Sequence, residues 1–104
     1  MDGDRDEMLA VAVRLFGMLG ALAGEWQVAL RLPKGATVAD VIARLGDRFG
    51  PSFLDRVLRV PGELHTYARV FVNDEQVDDL STVIEVQEPS TEVSLLLLPA
   101  SQGG

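Results

Sequence analysis

Residues 92–104 read EVSLLLLPASQGG, in which four consecutive leucines precede a proline and a short polar stretch that finishes in two glycines. An apolar run without polar alternation is typical of a strand covered on both faces, which favours a central position in a sheet. Proline has no amide hydrogen and helps to end a strand. The stretch therefore predicts a central last strand that holds the chain as far as Leu98, with six residues beyond it.

Two earlier segments alternate between apolar and other residues, LAVAVRLF at 9–16 and WQVALRL at 26–32. Alternation with a period of two is typical of strands that bury one face. The glycine-rich GMLGALAG at 17–24 lies between them, so the sequence predicts a hairpin with a glycine-rich connection. The buried faces would consist of Leu9, Val11, Val13 and Leu15 in the first strand and of Trp26, Val28, Leu30 and Leu32 in the second.

The helix signal is clearest at residues 37–50, TVADVIARLGDRFG. Thr37 is a good N-cap, and Asp40 three residues later completes a weaker form of the capping box. Gly46 weakens the last turn by up to about 1 kcal/mol relative to alanine, and Gly50-Pro51 ends the helix. One apolar stripe at helical spacing would cover the sheet, formed by Val38, Val41, Ile42, Leu45 and Phe49.

The rest of the chain completes an α+β domain in which one main helix packs across a mixed sheet. We expect a short second helix at SFLDRVL (52–58), with Phe53, Leu54, Val57 and Leu58 on one face, and a loop at VPGELHT (60–66) around Pro61-Gly62. A third strand at YARVFVN (67–73), a turn at Asp74-Glu75 and a short strand at QVDDL (76–80) follow. The predicted organisation is a disordered extension at 1–7, one domain at 8–98 and a flexible tail at 99–104.

Composition limits the classes of function. Nine Lys plus Arg against 16 Asp plus Glu give a net charge of -7, which disfavours nucleic acid and anionic membranes and allows a basic protein partner. No apolar run is long enough to span a bilayer, and the acidic start lacks the basic region of a signal peptide, so we expect a cytoplasmic protein. The absence of cysteine excludes disulfides, thiolate metal sites and thiol nucleophiles.

The remaining titratable residues carry no clear chemistry. His65 is the single histidine, and we interpret it as a solvated loop residue with no assigned role, because a general base needs an oriented partner. The acidic pairs Asp2 with Asp4 and Asp78 with Asp79 are interpreted as solvated surface and not as metal ligands. An independent enzyme is therefore the least favoured class.

Four stretches together resemble a known family: VAVRLFGMLGALAG (11–24), LPKGATVADVIARL (32–45), RVFVNDEQV (69–77) and PASQGG (99–104). They resemble the ubiquitin-like sulfur carriers of the MoaD/ThiS group, which share the β-grasp fold, and the likeness covers roughly residues 8–104. The resemblance implies a β-grasp domain with an extended C-terminal Gly-Gly tail. In this family the residues before the two glycines are usually apolar, whereas Ser101 and Gln102 are polar.

The resemblance also implies a chemistry. The carboxylate of Gly104 would be adenylated by a ubiquitin-activating-type enzyme that uses ATP, and a sulfur donor protein would supply the sulfur that makes it a thiocarboxylate. A sulfur-accepting synthase subunit would then receive the sulfur. Gly103, which has no side chain, would let the tail enter a narrow channel of a partner enzyme. The residues that would contact the partners are Pro99, Ala100, Ser101 and Gln102. The protein would bind no stable cofactor and would act as a co-substrate, not as an enzyme.

The pathway stays open at the level of sequence. Molybdopterin synthesis, with this chain as the small subunit of the synthase, is the first choice. Cysteine synthesis is a close rival, since residues 61–77, PGELHTYARVFVNDEQV, look similar to carriers that feed a cysteine synthase, and thiamine-type carriers are a further option. From other classes of protein, a modifier conjugated to lysines and a plain β-grasp interaction module also remain.

Overall fold

The first two strands pair as the alternation predicts. The computed structural model describes residues 8–98, and in it β1 (Met8–Gly17) and β2 (Gln27–Pro33) run antiparallel, with Val13 opposite Val28. All four residues predicted for the inner face of β1 are buried, and Val28 and Leu32 of β2 are buried as well. This hairpin is therefore confirmed.

The connection between these strands differs from the prediction because it contains a short helix, α1 (Met18–Ala23). Three glycines suggested a loosened loop, but Leu19 is fully buried in the core and fixes the helix. The placement of Trp26 on the buried face of β2 is also wrong, since its side chain is 60% exposed. Its indole lies on the backbone of Gly20, where a Cβ atom would overlap the ring. Tertiary packing thus overrides the local glycine signal.

The main helix agrees with its sequence signals. Helix α2 (Val38–Phe49) follows Thr37, whose hydroxyl accepts from the Asp40 amide while the Asp40 carboxylate accepts from the Thr37 amide, at 3.3 and 2.9 Å. The capping box is therefore complete in both directions. Four of the five predicted apolar positions are buried, and Phe49 is half-buried.

Helix α3 (Pro51–Val57) confirms the predicted second helix and begins with a proline in its first turn. Of its predicted face, Phe53 and Val57 are buried while Leu54 and Leu58 are half-buried. The loop predicted for residues 60–66 is wrong in part. Strands β3 (Leu58–Val60) and β4 (Glu63–Leu64) form a two-stranded sheet around the predicted Pro61-Gly62 turn, where the positive φ of 86° suits Gly62.

The third and fourth predicted strands form a second hairpin, β5 (Ala68–Val72) and β6 (Glu75–Val77). The turn lies one residue earlier than predicted, at Asn73-Asp74, with φ of 50° and 73°. Asn and Asp tolerate the left-handed conformation that a two-residue hairpin turn requires, whereas glutamate is less suited to it. The short strand accordingly ends before Asp78.

The last strand, β7 (Thr91–Leu97), occupies the centre of the main sheet, whose strand order is β2-β1-β7-β5-β6. It runs parallel to β1 and antiparallel to β5, so the sheet is mixed as predicted. The expectation that both of its faces are covered is wrong. Thr91, Val93 and Leu95 are buried, whereas Glu92, Ser94 and Leu96 on the other face are only half-buried.

The domain has two layers, a sheet and a set of helices that cover one face of it. The buried side chains of α1, α2 and α3 join those of the main sheet in one hydrophobic core, which lies on one face of the sheet. The opposite face, here called the open face, carries exposed positions such as Arg14 and Phe16. This arrangement is the β-grasp fold, which confirms the predicted fold class. None of the helices within residues 8–98 is long and apolar enough to cross a membrane.

Candidate functional site at the root of the tail

The residues predicted to carry the chemistry lie outside the described part of the chain. They are Gly104 and Gly103 at the end, and Pro99, Ala100, Ser101 and Gln102 before them. The predicted disordered segment 1–7 lies outside it too. What the structure does define is the root of the tail, meaning the end of β7 at Leu97 and Leu98, from which these residues continue.

The root is held from both sides. Leu97 pairs with Gly17 of β1 on one side and with Ala68 of β5 on the other. One step further, the Leu98 amide donates to the Tyr67 carbonyl at 2.8 Å. Because Pro99 has no amide hydrogen, it cannot donate the next bond of such a ladder. The chain is therefore fixed in position as far as Leu98, as the sequence predicted.

A patch of mixed character lies on the open face beside the root; we call it the tail-proximal patch. Register places Phe16 of β1 and Arg69 of β5 on either side of Leu96. Arg14 and Phe71 flank Ser94 in the next row. Phe16 is 45% exposed, which leaves a large aromatic surface in water. Exposed aromatic and arginine side chains are enriched where proteins bind proteins.

The two arginines of this patch are held by hydrogen bonds. The guanidinium of Arg69 donates to the carbonyls of Thr66 and Ala68, at 2.8 and 3.0 Å. Arg14 forms an ion pair with Glu92, at 3.4 Å. The charge of Arg14 is therefore balanced by Glu92, whereas the guanidinium of Arg69 contacts neutral carbonyls and could meet an acidic group of a partner.

His65 lies close to the root, in the loop before β5 as predicted, but the interpretation as a simply solvated residue is wrong in part. The residue is half-buried, its amide donates to the Val57 carbonyl at 2.8 Å, and its Nδ1 accepts from the Tyr67 amide at 3.2 Å. The imidazole also contacts the Tyr67 ring, with a centroid separation of 5.7 Å. Since Tyr67 binds Leu98, the histidine is linked to the root through one intervening residue.

The acidic pair at 78–79 agrees with its surface interpretation, since both residues are exposed. Hydrogen bonds from the hydroxyl and then the amide of Ser81 lower the pKa of the Asp79 carboxyl below its usual value. In residues 8–98 no three His, Asp or Glu side chains converge as metal ligands would. Asp2 and Asp4 lie outside the described range.

A broad groove of about 710 Å³ lies at the other end of the sheet. Its floor includes Ala10 and Ala12 of β1 and Ala29 of β2, and the loop around Pro89 forms one wall. These positions precede the stretch of β1 that pairs with the end of β7, so the groove is remote from the root. Among the described residues, the site beside the root is thus the end of the central strand with the tail-proximal patch, and the groove is not part of it.

Sequence reasoning missed the tail-proximal patch and the link from His65 to the root. Alternation in β1 already placed Arg14 and Phe16 on the face opposite the core, which was a usable signal for half of the patch. Arg69 and Leu96 join them only through the register between β5 and β7. The local hydrogen bond of His65 had no signal in the sequence, because histidine is not among the residues that usually cap such turns.

Comparison with known proteins agrees with the fold. Neither a protein-family model nor a curated protein matches the sequence, but solved structures do. The crystal structure of SAMP1 from Haloferax volcanii is 27% identical, covers 91% of this chain and 99% of that one, and superposes with a TM-score of 0.71. A chain of the Amycolatopsis orientalis BexX/CysO complex is 29% identical, with coverages of 88% and 99% and a TM-score of 0.65.

A third structure, a putative molybdopterin converting factor subunit 1 from Pyrococcus furiosus, shares the fold at 23% identity. It covers 88% of this chain and 99% of its own, with a TM-score of 0.68. The mixed sheet with its central last strand and the helices on one face define a ubiquitin-like β-grasp protein. The resemblance to the MoaD/ThiS group of ubiquitin-like sulfur carriers, predicted from the sequence, is confirmed by these neighbours.

Proposed function

We propose that this protein is a sulfur carrier whose C-terminal Gly104 carboxylate is adenylated and then converted to a thiocarboxylate. The observation that carries the proposal is the root of the tail. A central strand, paired on both sides up to Leu98, leads directly into a short segment that contains Gly103 and Gly104. Six residues at about 3.3–3.6 Å each reach at most roughly 20 Å, which suffices to enter a partner's active site.

The chemical steps balance without a nucleophile from this chain. The carboxylate attacks the α-phosphate of ATP, pyrophosphate leaves, and the resulting acyl adenylate has lost the charge that opposes attack. The terminal sulfur of a persulfide on the donor protein attacks the acyl carbon, and AMP leaves with the oxygen. A thiol of the donor or of the activating enzyme then attacks the inner sulfur of this acyl disulfide, which releases the thiocarboxylate and leaves a protein disulfide. A thiocarboxylic acid is a stronger acid than a thiol of pKa about 8.5, so the product is ionised and nucleophilic at neutral pH. The chain acts as co-substrate of its partners.

We assign the tail-proximal patch to the adenylating partner. The patch adjoins the root, so a partner that binds Phe16 and Leu96 places its active site within reach of the tail. Arg69 at its rim would pair with an acidic group of the partner and orient the complex. In this proposal the tail-proximal patch supplies the affinity for the partner, and the tail carries the Gly104 carboxylate into the partner's active site. The place of action is the cytoplasm.

Among acceptors of the sulfur, we put molybdopterin synthesis first, with this chain as the small synthase subunit. Carriage for cysteine or thiamine-type synthesis is the alternative, favoured by residues 61–77 and by the likeness to the BexX/CysO complex. Affinity capture with the thiocarboxylate form, followed by mass spectrometry, distinguishes them. A molybdopterin synthase large subunit, a cysteine synthase or a thiazole-forming enzyme would each identify its own pathway.

A second candidate function is protein modification through Gly104, favoured by the likeness to SAMP1, a small archaeal modifier protein. Lys34 is the single lysine, and it follows Pro33, which pairs with Met8 at the far end of β1 from Gly17. Ten strand residues span about 30 Å, which exceeds the reach of roughly 20 Å for six tail residues. Any bond from Gly104 to Lys34 would therefore join two molecules and not close one.

The deciding experiment is mass spectrometry of the intact chain after incubation with a ubiquitin-activating-type enzyme, ATP and a sulfur donor protein. We expect a mass increase equal to the difference between sulfur and oxygen, located at Gly104 by fragmentation. The chain that lacks Gly103 and Gly104 is the control and should gain nothing. Added mass found solely on internal residues would contradict the carrier proposal, and isopeptide-linked peptides would favour the modifier.

A further inference from the structure

We propose that His65 is a positioning residue for the tail. Its Nδ1 fixes the Tyr67 amide, and the Tyr67 carbonyl fixes the Leu98 amide at the root. The inference deepens the proposed function, on which its kinetic part rests, and assigns a task to a residue that the sequence left without one. His65 would not touch ATP, sulfur or the reacting carboxylate, and acts only through the direction in which the chain leaves the sheet.

Hydrogen bonds anchor His65 itself to the body of the domain. Its amide donates to the carbonyl of Val57, the last residue of α3, at 2.8 Å, and its carbonyl accepts from the Ala68 amide at 3.0 Å. Val57 is fully buried, so the anchor belongs to the rigid core. Because the backbone of His65 is held in place, its imidazole is positioned to accept from the Tyr67 amide.

The bond from the Tyr67 amide to Nδ1 spans two residues, as in an Asx turn. In such turns an Asn or Asp side chain accepts from the amide two residues further on. Here Nδ1 of the imidazole takes that part. The contact between the two rings, tilted by 32°, supports the same arrangement. A side-chain acceptor at position 65 therefore determines the path of the backbone through Thr66 and Tyr67.

Other hydrogen bonds complete the set. Arg69 binds the carbonyls of Thr66 and Ala68, and the Tyr67 carbonyl goes to Leu98. The Tyr67 amide is the backbone group in this loop that is held by the His65 ring, whereas the Ala68 amide is held by the His65 carbonyl. Loss of that acceptor should let Tyr67 turn, which would release its carbonyl from Leu98 and loosen the root. The partner enzyme would then bind a chain whose root is less preorganised.

The test uses the full-length chain in three variants. His65→Ala removes the acceptor, whereas His65→Asn keeps an oxygen that can accept from the Tyr67 amide. Thr66→Ala is the matched control, since it changes the same loop without removing a hydrogen bond made by a side chain in the structure. Amide hydrogen exchange is measured at Tyr67 and Leu98, and the KM and kcat of adenylation are measured with the carrier as varied substrate.

With His65→Ala, we expect exchange at Tyr67 and Leu98 to rise about two- to tenfold, the effect of losing one hydrogen bond, with amides of β1 and α2 unchanged. KM for the carrier should rise by a similar factor while kcat stays constant, because the loss falls on binding of the tail. His65→Asn should restore both values, and Thr66→Ala should change neither.

Three results would overturn the inference. They are unchanged exchange at Leu98 in His65→Ala, faster exchange without a rise in KM, and failure of His65→Asn to restore either value. A wild-type chain that no activating enzyme adenylates would instead refute the proposed function. The exchange measurements would still decide whether His65 holds the root.

Discussion

Gly46 is expected from the sequence to weaken helix α2, but in the structure it allows α3 to pack closely against that helix. In a helix interior glycine is less favourable than alanine by up to about 1 kcal/mol, so the sequence marks it as a weak point of α2. In the structure Gly46 is buried, and α3 packs against it. A Cβ atom there would lie 2.7 Å from both Cγ and Cδ1 of Leu54. The glycine therefore permits the close approach of the two helices.

We expect Gly46→Ala to destabilise the protein by about 1–3 kcal/mol, because the new methyl group overpacks the contact with Leu54. Urea denaturation followed by circular dichroism measures the change. In a Leu54→Ala background the space is free, and the same substitution should stabilise by up to about 1 kcal/mol through helix propensity. A stabilising effect in the wild-type background would mean that Leu54 moves aside without cost.

At the scale of elements, the success of sequence reasoning depended on whether the signal was local. The capping box at Thr37 and the alternation of β1 act within a few residues, and both agree with the structure. Helix α1 was missed because its glycines favour a loop locally, whereas Leu19 is buried in a core that includes residues of β7 and α3, far away in the sequence.

The candidate site divides in the same way. The root at Leu98 was predictable from the leucine run and Pro99, which are contiguous in sequence. The tail-proximal patch was not, because Phe16, Leu96 and Arg69 meet only through strand register. The predicted chemistry at Gly104 lies beyond the described residues and stays a prediction that mass spectrometry would decide.

Helix α2 provides stability and, in our proposal, takes no part in sulfur transfer. Ile42 is buried to 2% exposure, and we expect Ile42→Ala to cost about 2–5 kcal/mol through lost burial and the cavity left behind. Asp47→Ala, on the exposed side of the same helix, should change stability by no more than about 0.5 kcal/mol. Thermal melts give the ranking.

Adenylation of folded Ile42→Ala protein at low temperature should match the wild type. A loss of adenylation that exceeds the unfolded fraction would place α2 in contact with the partner enzyme. An unchanged melting point would instead refute the assigned core face.

At the scale of the whole molecule, we expect that changes in the tail can abolish adenylation without affecting the folding of the domain. Removal of Gly103 and Gly104 should abolish ATP–pyrophosphate exchange and leave the circular dichroism spectrum and melting point unchanged, because the sheet is complete at Leu97. Gly103→Val should act similarly but less completely, since a β-branched side chain stiffens and widens the thread. A truncated chain that still supported exchange would show that adenylation does not depend on Gly103 and Gly104, and would contradict the proposed role of the tail.

A matched variant tests the polar residues of the tail. Gln102→Ala leaves both glycines in place, so we expect adenylation to continue with an altered affinity for one partner. Affinities of the variant for the activating enzyme and for the sulfur acceptor, measured separately, would show which partner recognises this position. Equal losses for both would contradict a role in partner choice.

The central position of β7 also governs when the molecule becomes competent. The pairs β1 with β2 and β5 with β6 are local hairpins, but within the main sheet β7 alone joins them. The contact between Arg14 and Glu92 spans 78 positions of the chain, and contacts of such long range form slowly. Insertion of β7 therefore completes the sheet and creates the root in one step. In the proposed function, a chain that has not folded would lack the root, so the fold itself would limit sulfur loading to native molecules.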